Sequence, residues 1–201
     1  MLNQNDVAII RKLAGDVARV AALPIQEQKK TLWRKINSLK PVRPMVMIDQ
    51  VCWHELNGKG ELTLECQDPE CRQYEDHLRR VLYQARHFPV DSVVEPVIGV
   101  GRAVSHSGFG VKIQQEIAVS DPNNSVVGHK FENQFVTEAD LEKIRMPVVR
   151  HDPAETERRL AVAHELFDGL LEVRLVGYDP AYLSLWDPIS MWMGVEEALY
   201  T

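Results

Sequence analysis

The chain has 201 residues, of which 45% are hydrophobic, with a formal net charge of −6 and a pI near 5.7. That content can bury one large core or two small ones, and the acidic balance argues against a nucleic-acid binder, whose domain should be basic. No apolar run approaches the roughly 20 residues that a membrane-spanning helix needs, and the polar opening MLNQND does not read as a leader.

Residues 6–23 are expected to be helical, with Val7, Ile10, Ala14, Val17 and Ala21 on one stripe and Asn5 or Asp6 as cap. Pro24 breaks that helix. A second one follows, with Leu32, Ile36 and Leu39 on its buried side, until Lys40-Pro41 ends it. Its basic cluster (Lys29, Lys30, Arg34, Lys35, Lys40 and Arg43) reads as a solvated face. Residues 1–41 are thus a helical extension, and 42–201 the main domain.

Pro44 opens an apolar run, Met45 to Ile48, that stops at Asp49. Four apolar residues after a proline suit a strand buried on both faces of a parallel sheet. The runs VCWHEL and ELTLEC flank Asn57-Gly58-Lys59-Gly60, a hairpin signal that would put Leu62, Leu64 and Cys66 on one face. Asp68-Pro69 caps a helix whose stripe is Tyr74, Leu78, Val81, Leu82 and Ala85.

A second buried strand is expected over Asp91 to Val100, with Glu95 at its end because Pro96 stops ladder pairing. A second hairpin spans GVKIQQEIAV and SVVGHKFENQF around a turn at Asp121-Pro122-Asn123-Asn124. Thr137 to Asp140 caps a short helix through Leu141 and Ile144, and Asp152-Pro153-Ala154-Glu155 caps a longer one carrying Leu160, Ala163, Phe167 and Leu170. Residues 171–176 form a third strand candidate and Leu183 to Trp186 a fourth; Asp187-Pro188 opens a last helix with Met191, Val195 and Leu199 in register. This alternation is that of a parallel α/β fold whose decorated loops gather on one rim.

Cys52, Cys66 and Cys71 are an odd set that suits reduced thiols in a cytoplasm. With His54 they could also ligate zinc, although C-x-H and C-x4-C match no compact zinc ribbon; as buried cysteines they would simply be small apolar residues. Ser105-His106-Ser107 lacks a nucleophile elbow, and neither a dinucleotide fingerprint nor a phosphate loop is present. Carboxylates and imidazoles at strand ends remain: Asp49, Glu55, Glu95 and Asp187, with His54 and His129. They could bind or deprotonate a polar ligand, walled by Trp53, Trp186 and Trp192, which read equally well as core residues.

RPMVMIDQVCWHEL, YEDHLRRVLYQARHFPVDSVVEP, TEADLEKIRMPVVRHD and WDPISMWMGVEEALY together resemble the uroporphyrinogen decarboxylase superfamily. The likeness is nearest to its branch of cobalamin-dependent methyltransferases of anaerobic bacteria. It implies a (β/α)8 TIM barrel with an N-terminal helical extension and a site at the carboxyl ends of the strands. Methyl transfer would run between a small donor or acceptor and a corrinoid carried by a partner protein, with zinc as Lewis acid.

On that likeness Asp49, His54 and Glu55 bind substrate, Glu95 is a second polar anchor, Trp53 and Trp186 shape the pocket, and Asp187 joins the rim. The arginines that hold a porphyrinogen have no counterpart in IDQVCWHEL, which argues against decarboxylation. A full barrel needs about 250 residues, so the chain is expected to be its N-terminal half, inert alone and prone to pair with a copy of itself through open sheet edges. The alternatives are a non-catalytic binding or assembly module and a small zinc-binding α/β domain.

Overall fold

A computed structural model describes residues 2–40, 42–48, 50–122, 127–177, 184 and 186–200. In chain order the helices are α1 (Gln4–Ala21), α2 (Pro24–Asn37), α3 (Pro69–His87), α4 (Pro153–Phe167), α5 (Trp186–Met193) and α6 (Val195–Tyr200). The strands are β1 (Val97–Gly101), β2 (Val104–His106), β3 (Gln115–Ala118), β4 (Gly128–Phe131), β5 (Val149–His151) and β6 (Glu172–Val176), with 3-10 turns at Trp53–Glu55 and Glu138–Lys143. The arrangement is mixed α/β, with three two-stranded sheets and no closed barrel among the described residues. By internal packing the chain divides into two units, Met1–Val100 with Glu157–Leu175, and Gly101–Thr156 with Val176–Thr201.

The first unit holds the core. Ile10, Ala14 and Val17 of α1 meet Cys71 and Leu78 of α3, Ala163, Leu166 and Phe167 of α4, and Ile98 and Val100 of β1. Side-chain caps set where α1 and α3 start. The Asn3 side chain caps α1, and Asp68 accepts from the amides of Glu70 and Cys71 at the head of α3, with Pro69 in the first turn. Arg11 of α1 donates to the carbonyls of Leu166 and Asp168, which satisfies the carboxyl end of α4. On α2, Gln26, Lys29, Lys30 and Trp33 stand at helical spacing and all reach the segment 91–95.

Strands β1 and β6 run parallel: the amide of Glu172 donates to the carbonyl of Pro96 and the amide of Arg102 to that of Val176, at 2.8 and 3.0 Å. Only alternate residues of β1, Ile98 and Val100, are buried. The expected two-sided burial of this strand is therefore corrected to one covered face. No other strand among the described residues pairs with either.

In the second unit β2 pairs antiparallel with β5, His106 opposite Val149, and β3 pairs antiparallel with β4, as the hairpin signal predicts. Thr137 and Asp140 form the capping box of the 3-10 turn that follows. Phe109, Phe135 and Trp192 cluster edge to face, yet Ala103 is the only buried apolar residue among those described in this unit. Gly110 sits at φ +85°, where a Cβ would lie 2.7 Å from the carbonyl oxygen of Lys143. Gly110→Ala should lower the thermal midpoint, at a cost above about 1 kcal/mol; an unchanged melting curve would show that the turn relaxes freely.

Several expectations are corrected. Residues 44–48 form no strand, and Val46, Met47 and Ile48 are well exposed, because the segment is held by polar bonds to Asp91 rather than by a sheet ladder. No hairpin forms over 51–66: Asn57 receives the amide of Leu62, and the amides of Glu65 and Cys66 go to the carboxylate of Glu75. Leu62, Leu64 and Cys66 still share the inward face of that extended stretch. Asn3, not Asn5 or Asp6, caps α1, and Leu39 is exposed at φ +55°. The single last helix is two, since Gly194 at φ +82° ends α5. The fourth strand candidate lies mostly outside the described residues, and Trp186, at its end, is helical.

Candidate functional site

Glu95 precedes β1, so it lies at the amino end of that strand, and its carboxylate pairs with Lys30 at 3.0 Å. The expected place at the carboxyl end is corrected: Pro96 marks where the ladder begins. Asp49 lies outside the described residues. Trp53 stands edge-on to Tyr83 beneath the guanidinium of Arg80, a packed position on α3. His54 and Glu55 are exposed and 3.5 Å from each other. These groups belong to the first unit, Trp186 and Asp187 to the second. Trp186 lines an apolar cavity of about 550 Å³ with Phe135, Ile189 and Trp192, while the Asp187 side chain is exposed. His129 bonds Gln115 across the β3–β4 ladder.

The most perturbed carboxylate of the first unit serves the fold. Asp91 takes both guanidinium nitrogens of Arg43, at 2.8 and 2.5 Å, and the amide of Val46 at 2.9 Å. Arg43 first, then the Val46 amide, hold its carboxyl well below the usual range. All three of those bonds tie segment 43–46 to the start of the stretch that leads into β1.

The three cysteines fall in two environments. Cys66 and Cys71 are fully buried, and their thiols are pushed up to about 12, first by burial and then by Glu75 beside Cys66 and Asp68 beside Cys71. A thiolate is thus opposed at both positions. Cys52 is exposed, and no group of three His, Cys, Asp or Glu side chains among the described residues is placed to hold a metal ion.

A cavity of about 820 Å³ lies within the second unit, lined by the last residues of β1 and β6, Gly101 and Val176, and by Arg102 and Gly177 just beyond them. Val104 and His106 of β2, Val149 of β5, Phe109 and Pro188 supply most of the remaining wall. It therefore opens at the carboxyl ends of two parallel strands, where α/β proteins bind their ligands. The ladder bond from the Arg102 amide to Val176 fixes where that side chain starts, and its guanidinium bonds to no described residue.

His106 is oriented twice. The Gly108 amide donates to its Nδ1 at 2.9 Å, and Phe109 stands edge-on to its ring. With Nδ1 accepting, the neutral ring carries its proton on Nε2. In the sequence His106 stands out only as part of a serine-histidine-serine trio, and Arg102 carries no motif. Comparison of the chain with protein-family models, with curated proteins and with solved structures finds no match.

Proposed function

We propose that this chain supplies the substrate-side rim of a methyltransferase of the uroporphyrinogen decarboxylase type, built on part of a (β/α)8 barrel and working with a corrinoid held by a partner protein. The observation that carries the reading is the cavity at the carboxyl ends of β1 and β6, two parallel strands whose connection includes α4. The resemblance of RPMVMIDQVCWHEL and WDPISMWMGVEEALY to that superfamily supports it independently. So do the edges of the two-stranded parallel sheet, which no other strand among the described residues pairs and which a larger barrel or a second copy would cover. The corrinoid supplies the methyl-carrying metal. The chain's own residues bind and orient the small substrate: Arg102 and His106 as polar anchors, Val104, Val149 and Phe109 as walls.

The test is association with a carrier. Mixed with a cobalamin-loaded protein encoded beside its gene, the chain should sediment as a complex, without turning over a methyl donor by itself. Absence of any complex would overturn the reading. A non-catalytic assembly module is the second reading, favoured by the exposure of Val136, Leu141, Trp186 and Leu199 in the second unit. Self-association of the chain with no carrier bound would support that reading instead.

A further inference from the structure

The geometry points to a small carboxylate with an apolar body as the ligand of the cavity at the ends of β1 and β6, its carboxylate held by Arg102 and by Nε2 of His106. This names the substrate class of the site proposed above and rests on that reading for its catalytic meaning. Three observations carry it. No Asp or Glu is among the described residues that line the cavity, and the one formal charge among those residues is the guanidinium of Arg102. That guanidinium makes no hydrogen bond or ion pair with a described residue, whereas Arg11, Arg43, Arg72 and Arg79 all have theirs. His106 adds a second donor, because the Gly108 amide occupies Nδ1 and places the proton of the neutral ring on Nε2.

An Arg fork and a neutral imidazole N–H are both donors, matched to an acceptor-only carboxylate. The walls decide between an organic and an inorganic anion. Val104, Val149 and Val176 are each well exposed, and Phe109 stands beside them. Covering those apolar surfaces favours a ligand that carries carbon as well as charge. A bare phosphate would gain the guanidinium and leave the walls wet.

Calorimetric titration of the full chain with benzoate, benzamide and inorganic phosphate tests this. Benzoate should saturate one site, benzamide should bind at least about tenfold more weakly, and phosphate should not compete, since a charge-assisted hydrogen bond contributes about 1.5–3 kcal/mol. Arg102→Gln should lower benzoate affinity by about tenfold or more and leave the thermal midpoint unchanged. Arg102→Lys, which keeps the charge and loses the fork, should fall between.

Equal binding of benzoate and benzamide, competition by phosphate at equal concentration, or benzoate binding indifferent to both substitutions would overturn the assignment. Carrier association is read on the same samples. A complex formed by a chain that ignores benzoate overturns the carboxylate site alone. Benzoate binding without a complex overturns the methyltransferase reading and upholds the carboxylate site.

Discussion

Glu75→Ala should cost the first unit about 3–5 kcal/mol in urea-induced unfolding at neutral pH, the range for removing one member of a buried charged network. Glu75 is on α3 and fully buried, a position that a carboxylate tolerates only with its oxygens satisfied. Here the amides of Glu65 and Cys66 donate at 2.9 and 2.8 Å, and Nε of Arg79 donates at 2.8 Å. Burial alone would push its pKa up. The bonds from Cys66, Glu65 and Arg79 outweigh burial and hold it below the ordinary value. Truncation therefore strands two amides and takes one carboxylate from Arg79, which keeps its ion pair with Glu65.

The same shift fixes a pH dependence. A carboxyl depressed in the folded state contributes stability that is present above the unfolded pKa, about 4, and is lost as pH falls through the folded one. The wild-type chain should lose stability below about pH 4, and Glu75→Gln should show a flatter acid limb. A cost under about 1 kcal/mol for Glu75→Ala would mean that water replaces the carboxylate.

This network was half legible. Asp68 and Pro69 announced α3, and the stripe through Leu78, Val81 and Leu82 gave its buried face. Cys71, Glu75 and Leu78 lie on that same stripe, just as Asp6 lies on the stripe of Ile10, Ala14 and Val17. An acid on an apolar stripe is the sequence signal of a buried carboxylate. Asp6 accepts from the amides of Gln67 and Asp68, so acids on α1 and α3 receive four consecutive amides of segment 65–68. Those donors are distant in sequence from Asp6, and no local pattern shows them.

Site residues were harder to read for a related reason. A short apolar run followed by an acid is compatible with a buried strand, but residues 45–48 owe their path to Asp91, about forty-five residues away. Pro96 marks a strand boundary without saying which side the strand lies on, and β1 follows it, so Glu95 precedes the strand. The rule applied to Asp49, that a polar residue just past a parallel strand lines a cavity, fits Arg102 after the run VIGVG. Its neighbour His106 needed coordinates, because the Gly108 amide that sets its tautomer belongs to a turn.

Phe167→Ala should be the other severe lesion, about 3–5 kcal/mol by the same measurement. Phe167 ends α4 fully buried, its ring 5.1 Å from that of Tyr74 on α3 in an edge-to-face contact. Ile10, Leu78 and Leu166, each fully or almost fully buried, belong to the same cluster. Three helices and β1 supply most of its members, so no single side chain can swing in to fill the void, and the loss includes a cavity term beyond the transfer of the ring. The aromatic pair adds about 0.5–1.5 kcal/mol beyond area. Phe167→Leu keeps most of the volume and should cost less than half as much, while Tyr74→Phe should be nearly silent, because the contact uses the ring and not the hydroxyl. If Phe167→Leu proves as damaging as Phe167→Ala, ring geometry outweighs volume in this core. If neither moves the unfolding midpoint, α4 does not pack in solution as it does here.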